Sequence, residues 1–285
     1  MSHSTRKIPE LTIGLDVGDK NSYFAVIDYV EEFVEEGEVR TTKKGLREVF
    51  ERFPGARVVL ETGTHSAWIS ELLEDLGHEV IVANARKVVA IYKSRKKTDQ
   101  VDAKILARLG RFDVELLWPT RVRGARDRKA LTILKARDEL VKSRTQQVNH
   151  IRSQVKAWGS RITGRTAKTF GKIKAAELPK EVRPALMPLV KMIKKARSEI
   201  AAYDRKIEKL CTDHYPETKR LMQVQGVGPI TALAFVLVIG DPRRFKKGRS
   251  VGSYVGLVPR QDESGDSKPE LPITKHGDGF LRRLL

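Results

Sequence analysis

The sequence predicts an α/β domain, then a long helical arm of coiled-coil type, then a small, mainly α C-terminal part. Three observations carry that expectation. In the first 118 residues, short β-branched and aromatic runs alternate with stretches whose apolar residues recur at helical spacing, the pattern of a mixed sheet covered by helices. From Arg121 onward the strand signal disappears, and apolar residues recur every three, four or seven positions over two long stretches. Charge shifts at the same place. Residues 1–118 hold 18 basic and 20 acidic side chains, residues 119–180 hold 17 and 4, and residues 181–285 hold 20 and 12. A near-neutral first part joined to a basic remainder, +19 for the whole chain, suits a catalytic head on a body that binds nucleic acid. The expected domains are 1–118, 119–215 and 216–285.

The elements follow in order. Leu11–Ile27 reads as strand, turn and strand, because apolar and β-branched residues flank a polar centre at Gly18–Asn21. Glu31–Glu38 is an acidic stretch suited to a solvated turn and sheet edge. Leu46, Val49, Phe50 and Phe53 put a helix within Thr42–Phe53. Arg57–Glu61 is a short strand ending before a Gly turn, and Ala67, Ile69, Leu72, Leu73 and Leu76 make an amphipathic helix stopped by Gly77. Glu79–Ala83 is another strand. Val88–Tyr92 begins a further helix, and Lys93–Lys97 leads into a helix that carries Asp99 and Asp102. The first domain ends near Trp118-Pro119.

In the arm, Leu134, Val141, Val148 and Val155 recur every seven residues, with Leu131, Ile151 and Trp158 three away from members of that row. A basic break over Gly159–Lys174 follows. Then Leu186, Leu189, Ile193, Ala196, Ile200, Tyr203, Ile207 and Leu210 alternate three and four apart, the seam of a coiled coil or a long antiparallel helix pair. Such a seam serves a hairpin within the chain, a dimerisation arm, or both. In the last part, Gly226-Val-Gly228-Pro sits between helical segments in a helix-hairpin-helix pattern, whose backbone N–H groups can meet a phosphate without reading a base. Gly240-Asp-Pro-Arg-Arg-Phe breaks the helix and Ser250–Leu257 resumes it. Arg260–Gly277 is polar and turn-rich and contains Ser264, which by itself reads as a turn residue.

Four acids are the candidate site. Asp16 interrupts the apolar pattern of its strand, and a carboxylate there needs a partner or a metal. Glu61 ends a second strand. Asp99 and Asp102, at i and i+3, share one helical face. Each alone reads as well as a surface charge, the helical pair lying beside Lys96, Lys97 and Lys104. Together, if they converge, they form a cage of hard oxygen ligands for Mg²⁺ or Mn²⁺ at a phosphodiester. Lys93, Arg95, Lys96 and Lys97, just before the helical acids, suit either a phosphate neighbour or a solvated loop. The lone cysteine, Cys211, excludes an intrachain disulfide and a Cys-rich zinc site. No apolar run approaches the ~20 residues that span a bilayer, and no signal-peptide core opens the chain, so no membrane partner and a cytoplasmic location are expected.

The order of these pieces resembles the DEDD-type insertion-sequence transposases, RNA-guided recombinases. The resemblance rests on Ile13-Gly-Leu-Asp16-Val-Gly, Glu61-Thr-Gly and Lys97-Thr-Asp99-Gln-Val-Asp102-Ala, and on Gly226-Val-Gly-Pro-Ile-Thr-Ala, Ile239-Gly-Asp-Pro-Arg-Arg-Phe, Tyr254-Val-Gly-Leu-Val-Pro-Arg260, Ser264-Gly, Ile273-Thr-Lys-His-Gly and Leu281-Arg-Arg-Leu-Leu. It covers nearly the whole chain.

The resemblance implies an RNase H/RuvC-like first domain with Asp16, Glu61, Asp99 and Asp102 as a metal-binding tetrad. It implies a coiled-coil arm that makes a homodimer or homotetramer. It also implies a C-terminal domain in which a serine, here Ser264, attacks DNA and becomes covalently joined to it. A structured non-coding guide RNA would pair with donor and target DNA, the basic parts gripping its backbone, with Gly226, Gly228, Arg260 and Lys275 among the contacts. Two departures matter. Relatives often carry a second serine before the nucleophile, where Glu263 stands here, so that Ser267 is a rival. Relatives also usually continue with further helices beyond the position of Leu285, which reads as a shortened C-terminus. Two other functions fit the same residues: a resolvase-like, structure-specific nuclease using water, and a catalytically incomplete RNA- or DNA-binding protein.

Overall fold

A computed structural model of the chain describes residues 9–85, 98–261 and 269–285. They fall into two units, residues 1–123 and 124–285.

The first unit is built on a five-stranded mixed sheet. Its strands are β1 (Thr12–Asp16), β2 (Asn21–Ile27), β3 (Phe33–Arg40), β4 (Arg57–Glu61) and β5 (Glu79–Ala83), in the order β3-β2-β1-β4-β5. β1 pairs antiparallel with β2 and β2 with β3, whereas β4 runs parallel to both β1 and β5. This mixed sheet, followed by helices, is compatible with an RNase H-like fold. The acidic stretch forms β3, an edge strand whose residues alternate between exposed and half-buried, so that its carboxylates stay in water.

Two helices, α1 (Lys43–Phe50) and α2 (Ser66–Asp75), cover one face of the sheet. Their apolar residues Leu46, Phe50, Ile69, Leu72 and Leu73 meet Ile13, Leu15, Phe24, Val58 and Leu60 in one core. Thr42 starts α1 by accepting the Gly45 N–H at its hydroxyl. The other face carries α3 (Asp99–Phe112), capped in the same way by Thr98, whose Oγ1 accepts from the Val101 N–H. Val59, Ile81, Ala83, Leu106 and Leu117 form the core on this side.

Two features tie α3 to the sheet. At Gly14 a Cβ would overlap the Ala103 carbonyl and the Ala107 nitrogen, so the glycine lets helix and strand backbones touch. At the far end, the buried Arg57 donates to Glu79 on β5 at 2.9 Å and to the Gly110 carbonyl at 2.9 Å, pairing its charge and satisfying the last turn of α3. The chain holds to this unit beyond Trp118, because the Thr120 N–H donates to Val82 and Val122 packs on the core. The helix expected over Val88–Tyr92 lies outside the described residues.

The second unit is helical. α4 (Ala125–Ala157) and α5 (Arg183–Asp213) form an antiparallel pair, with the start of α4 beside the end of α5. At one end, Ala130, Leu131 and Leu134 meet Ile207 and Cys211; at the other, Val148, Ile151 and Val155 meet Leu186, Val190 and Ile193. Between these clusters the seam turns polar: Arg137 pairs with Asp204 at 2.8 Å, and Arg144 is buried. Trp158 departs from the expected stripe and is 52 % exposed, because it follows the last turn of α4 and its backbone no longer holds helical direction. The connection between the two helices adds Phe170, Ile173 and Leu178 to the core.

Short helices α6 (Thr218–Leu221), α7 (Pro229–Ile239), α8 (Arg249–Val255) and α9 (Gly279–Leu284) complete the unit. α7 is apolar all round and packs Leu233, Ala234, Leu237 and Val238 into the core at the α4 start. Arg283 of α9 grips Asp138 of α4 with two hydrogen bonds of 3.2 and 2.9 Å. Burial pushes the Asp138 carboxyl up, but the Arg283 and Lys142 hydrogen bonds outweigh it and hold it below the usual carboxylate range.

Candidate active site

The β1–β4 register places the first two acids. These strands run parallel as neighbours, with Leu15 opposite Leu60, so the next residues, Asp16 and Glu61, sit side by side at the C-terminal ends of the two strands. Both are half-buried, and both line one cavity of about 380 Å³ together with Val17, Asp19 and the turn Thr62–Ser66. A cavity beyond the carboxyl ends of adjacent parallel strands is where open α/β sheets hold ligands.

The direction of α3 brings its acids toward the same end of the sheet. Ala103 and Ala107 lie on Gly14 of β1, while Gly110 lies on Val59 and beside Thr12. The helix therefore runs against β1, and its first turn, which holds Asp99 and Asp102, points to the end of the strand where Asp16 stands. Asp102 is half-buried beside the sheet and Asp99 is exposed. Neither lines the cavity, and among the described residues no three acidic, histidine or cysteine side chains gather as a metal-binding group. The structure thus brings together Asp16 and Glu61, and aims the helical pair at them without closing the cage. Two carboxylates at one cavity, with acids at a nearby helix start, are a donor set of hard oxygens that fits Mg²⁺ or Mn²⁺.

His65 was not legible as a site residue in the sequence, yet it lines this cavity. Its Nδ1 accepts from the Trp68 indole N–H at 3.0 Å, so the neutral ring carries its proton on Nε2, which faces Asp19 at 3.4 Å. The signal was the spacing His65…Trp68, one helical turn at the start of α2.

In the second unit, the segment around the candidate serine has a fixed base. Pro259 bridges Ile273 antiparallel, the Arg260 N–H donates to Pro272 at 3.1 Å, and the Thr274 N–H donates to Val258 at 2.9 Å. Gly256 and Gly277, both left-handed, let these stems meet α8 and each other, since a Cβ on either would overlap the backbone of His276 or Tyr254. Arg260 and Lys275 therefore stand on or next to the two paired stems, both exposed. Ser264 and Ser267 lie outside the described residues, as do Lys93, Arg95, Lys96 and Lys97. Gly226 and Gly228 stand in the turn between α6 and α7, with open space where a Cβ would sit.

Comparison with known proteins decides the family. A DEDD-type, IS110-class transposase profile matches residues 13–158, and the transposase profile of the IS116/IS110/IS902 family matches residues 218–285. The chain belongs to this transposase family. Its relatives include a "Probable family 20 transposase" of Pseudomonas aeruginosa, 28% identical over 96% of this chain and 81% of its own length. The transposase of element IS1328 from Yersinia enterocolitica is 26% identical over 98% of this chain and 83% of its own. The transposase of element IS1111A from Coxiella burnetii is 32% identical over 68% and 54%. The first match takes in Asp16, Glu61, Asp99 and Asp102, and the second takes in the serine segment. All of α5 lies between the two matches. Among the described residues, no helix is long and apolar enough to cross a membrane.

Proposed function

We propose that this transposase cleaves and rejoins DNA strands in the cytoplasm with a metal-binding acidic tetrad and a serine nucleophile. The observation that carries the reading is the pairing of Asp16 and Glu61 in one cavity at neighbouring strand ends, with the Asp99/Asp102 turn of α3 directed to that end. In this reading Asp16, Glu61, Asp99 and Asp102 hold Mg²⁺ or Mn²⁺. Such an ion, when bound, would supply charge neutralisation at the phosphate and favour the deprotonated serine.

The chain's own residues do the rest. Ser264 Oγ attacks the phosphorus and a Ser–O–P bond forms. The P–O bond to the leaving strand breaks, and that strand's oxygen takes up a proton. A hydroxyl of the incoming strand then attacks the phosphoserine, restores Ser264 and closes a new phosphodiester. The number of phosphoester bonds is conserved, so no ATP is required. The fixed stems at Pro259–Ile273 support this role by giving the serine loop a defined base, and His65, oriented by Trp68, presents an N–H in the acid cavity. A guide RNA and a homodimer or homotetramer through the α4–α5 arm belong to the same proposal.

The test is a denaturing gel for a protein–DNA adduct, with element-end DNA, its RNA and Mg²⁺. An adduct that is lost in both Ser264→Ala and Asp16→Ala is the expected result. Strand cleavage without any adduct, unchanged in Ser264→Ala, would replace the serine by water and make the protein a nuclease of resolvase type.

A further inference from the structure

The segment between α7 and α8 carries charge that neither the tetrad nor the serine loop uses. Arg243, Arg244, Lys246, Lys247 and Arg249 place five cations within seven residues, all exposed. Arg243 is engaged, its Nε pairing with Asp241 at 3.1 Å. Among the described residues, Arg244, Lys246, Lys247 and Arg249 form no ion pair with a carboxylate.

Arg244 is held differently from its neighbours. Its guanidinium carbon lies 4.6 Å from the Phe245 ring centroid and 4.2 Å from that of Tyr254 on α8. The two rings meet edge-to-face with centroids 5.5 Å apart and an interplanar angle of 73°. Two aromatic contacts restrict where the guanidinium of an otherwise mobile side chain sits, at a surface where each contact contributes only modestly to stability. The rings attract the guanidinium charge but accept none of its five N–H donors in an ordinary hydrogen bond, which leaves that fork of donors for a ligand. A planar fork of donors matches the oxygens of a phosphodiester and binds them two at a time. A guanidinium aimed at phosphate oxygens makes a backbone contact that carries no base sequence.

We propose that Arg244, held against Phe245 and Tyr254 and flanked by Lys246, Lys247 and Arg249, is a phosphate clamp for the backbone of the DNA on which the transposase acts. This rests on the reading of the chain as a DNA-joining enzyme and adds a binding site to it. The site contributes affinity and position without sequence preference. RNA presents the same phosphodiester chemistry and is the alternative source that the experiment separates.

The experiment measures binding of the full chain to labelled duplex DNA, single-stranded DNA and an RNA hairpin by fluorescence anisotropy across a salt series. Arg244→Ala weakens DNA binding by roughly tenfold irrespective of sequence and lowers the slope of log K against log salt by about 1. Arg244→Lys, which keeps the charge but not the fork, recovers only part of that loss, and Tyr254→Leu weakens binding while leaving the slope nearly unchanged. Lys246→Ala with Lys247→Ala, which leaves the stack intact, gives a slope change without touching the fold. Circular dichroism of each variant matching the wild type separates lost contact from lost structure.

Arg244→Ala and Arg244→Lys both binding DNA like the wild type would overturn the clamp. So would an effect confined to the RNA hairpin, which would assign the phosphate to RNA. Failure of the transposase reading shows separately, as wild-type protein that binds DNA with the expected Arg244 dependence but never forms an adduct.

Discussion

Single residues show how little separates a structural group from a candidate site residue in this fold. Asp16 and Glu61 differ from the other acids of the first unit only in standing at the ends of neighbouring parallel strands, where they share a cavity. His78, in contrast, has no site to serve. It is buried, lies edge-on to Phe50 at 5.9 Å, and its ring nitrogens make no hydrogen bond among the described residues. Burial pushes its pKa below the ordinary 6.5, partly offset by the nearby Ala56 and Phe50 carbonyls. The folded protein therefore takes up this proton only at lower pH than the unfolded chain, which gains it as pH falls through about 6.5. Stability is full above that pH and declines below it, toward the lower folded value. Thermal unfolding between pH 7 and 5 should show this decline, and His78→Leu should flatten it.

At the scale of elements, the site depends on how closely α3 approaches β1. Gly14 is the residue that permits it, and Gly14→Ala would drive a methyl into the Ala103 carbonyl and the Ala107 nitrogen. Backbone cannot yield there as a flexible side chain would. The expected cost is about 3 kcal/mol of stability, with adduct formation falling further than stability alone explains, because Asp99 and Asp102 move with the helix. Chemical denaturation together with the adduct assay checks both parts; a variant as stable and active as the wild type would show that the helix acids do not depend on this contact. Cys211 illustrates the opposite case, a chemically capable group taken out of service by its element. It is buried between α4, α5 and α7, and burial raises its thiol pKa, so it packs as a small apolar side chain.

Over the whole molecule, charge divides as the units do. Residues 1–123 hold 20 basic and 20 acidic side chains, and residues 124–285 hold 35 and 16, so the entire +19 lies on the second unit. Affinity for nucleic acid should therefore belong to residues 124–285 and fall by about a thousandfold between about 50 and 200 mM salt, whereas residues 1–123 alone should bind weakly at either. Anisotropy titrations of the full chain and of the two halves measure this; salt-insensitive binding, or strong binding by the first half, would contradict it. Each half has its own apolar core, formed by α1, α2 and the sheet in one and by α4, α5 and α7 in the other.

The sequence by itself determined the main elements of both units, because they are specified by nearest neighbours: β-branched and aromatic runs for the strands, and three-and-four spacing for α5. It also determined the family, through motifs whose residues lie close together along the chain. Where the periodicity ran past its helix, as at Trp158, local pattern misled, since a side chain keeps its face only while the backbone stays helical. What only the tertiary structure decided is which distant residues meet. The parallel pairing of β1 with β4 sets Asp16 beside Glu61 across 45 residues of chain, the Gly14 contact directs the α3 acids toward them, and the fold of α8 onto the preceding turn stacks Arg244 on Tyr254. Those juxtapositions depend on strand order and on backbone approach at glycine, and neither leaves a periodic trace in a single sequence.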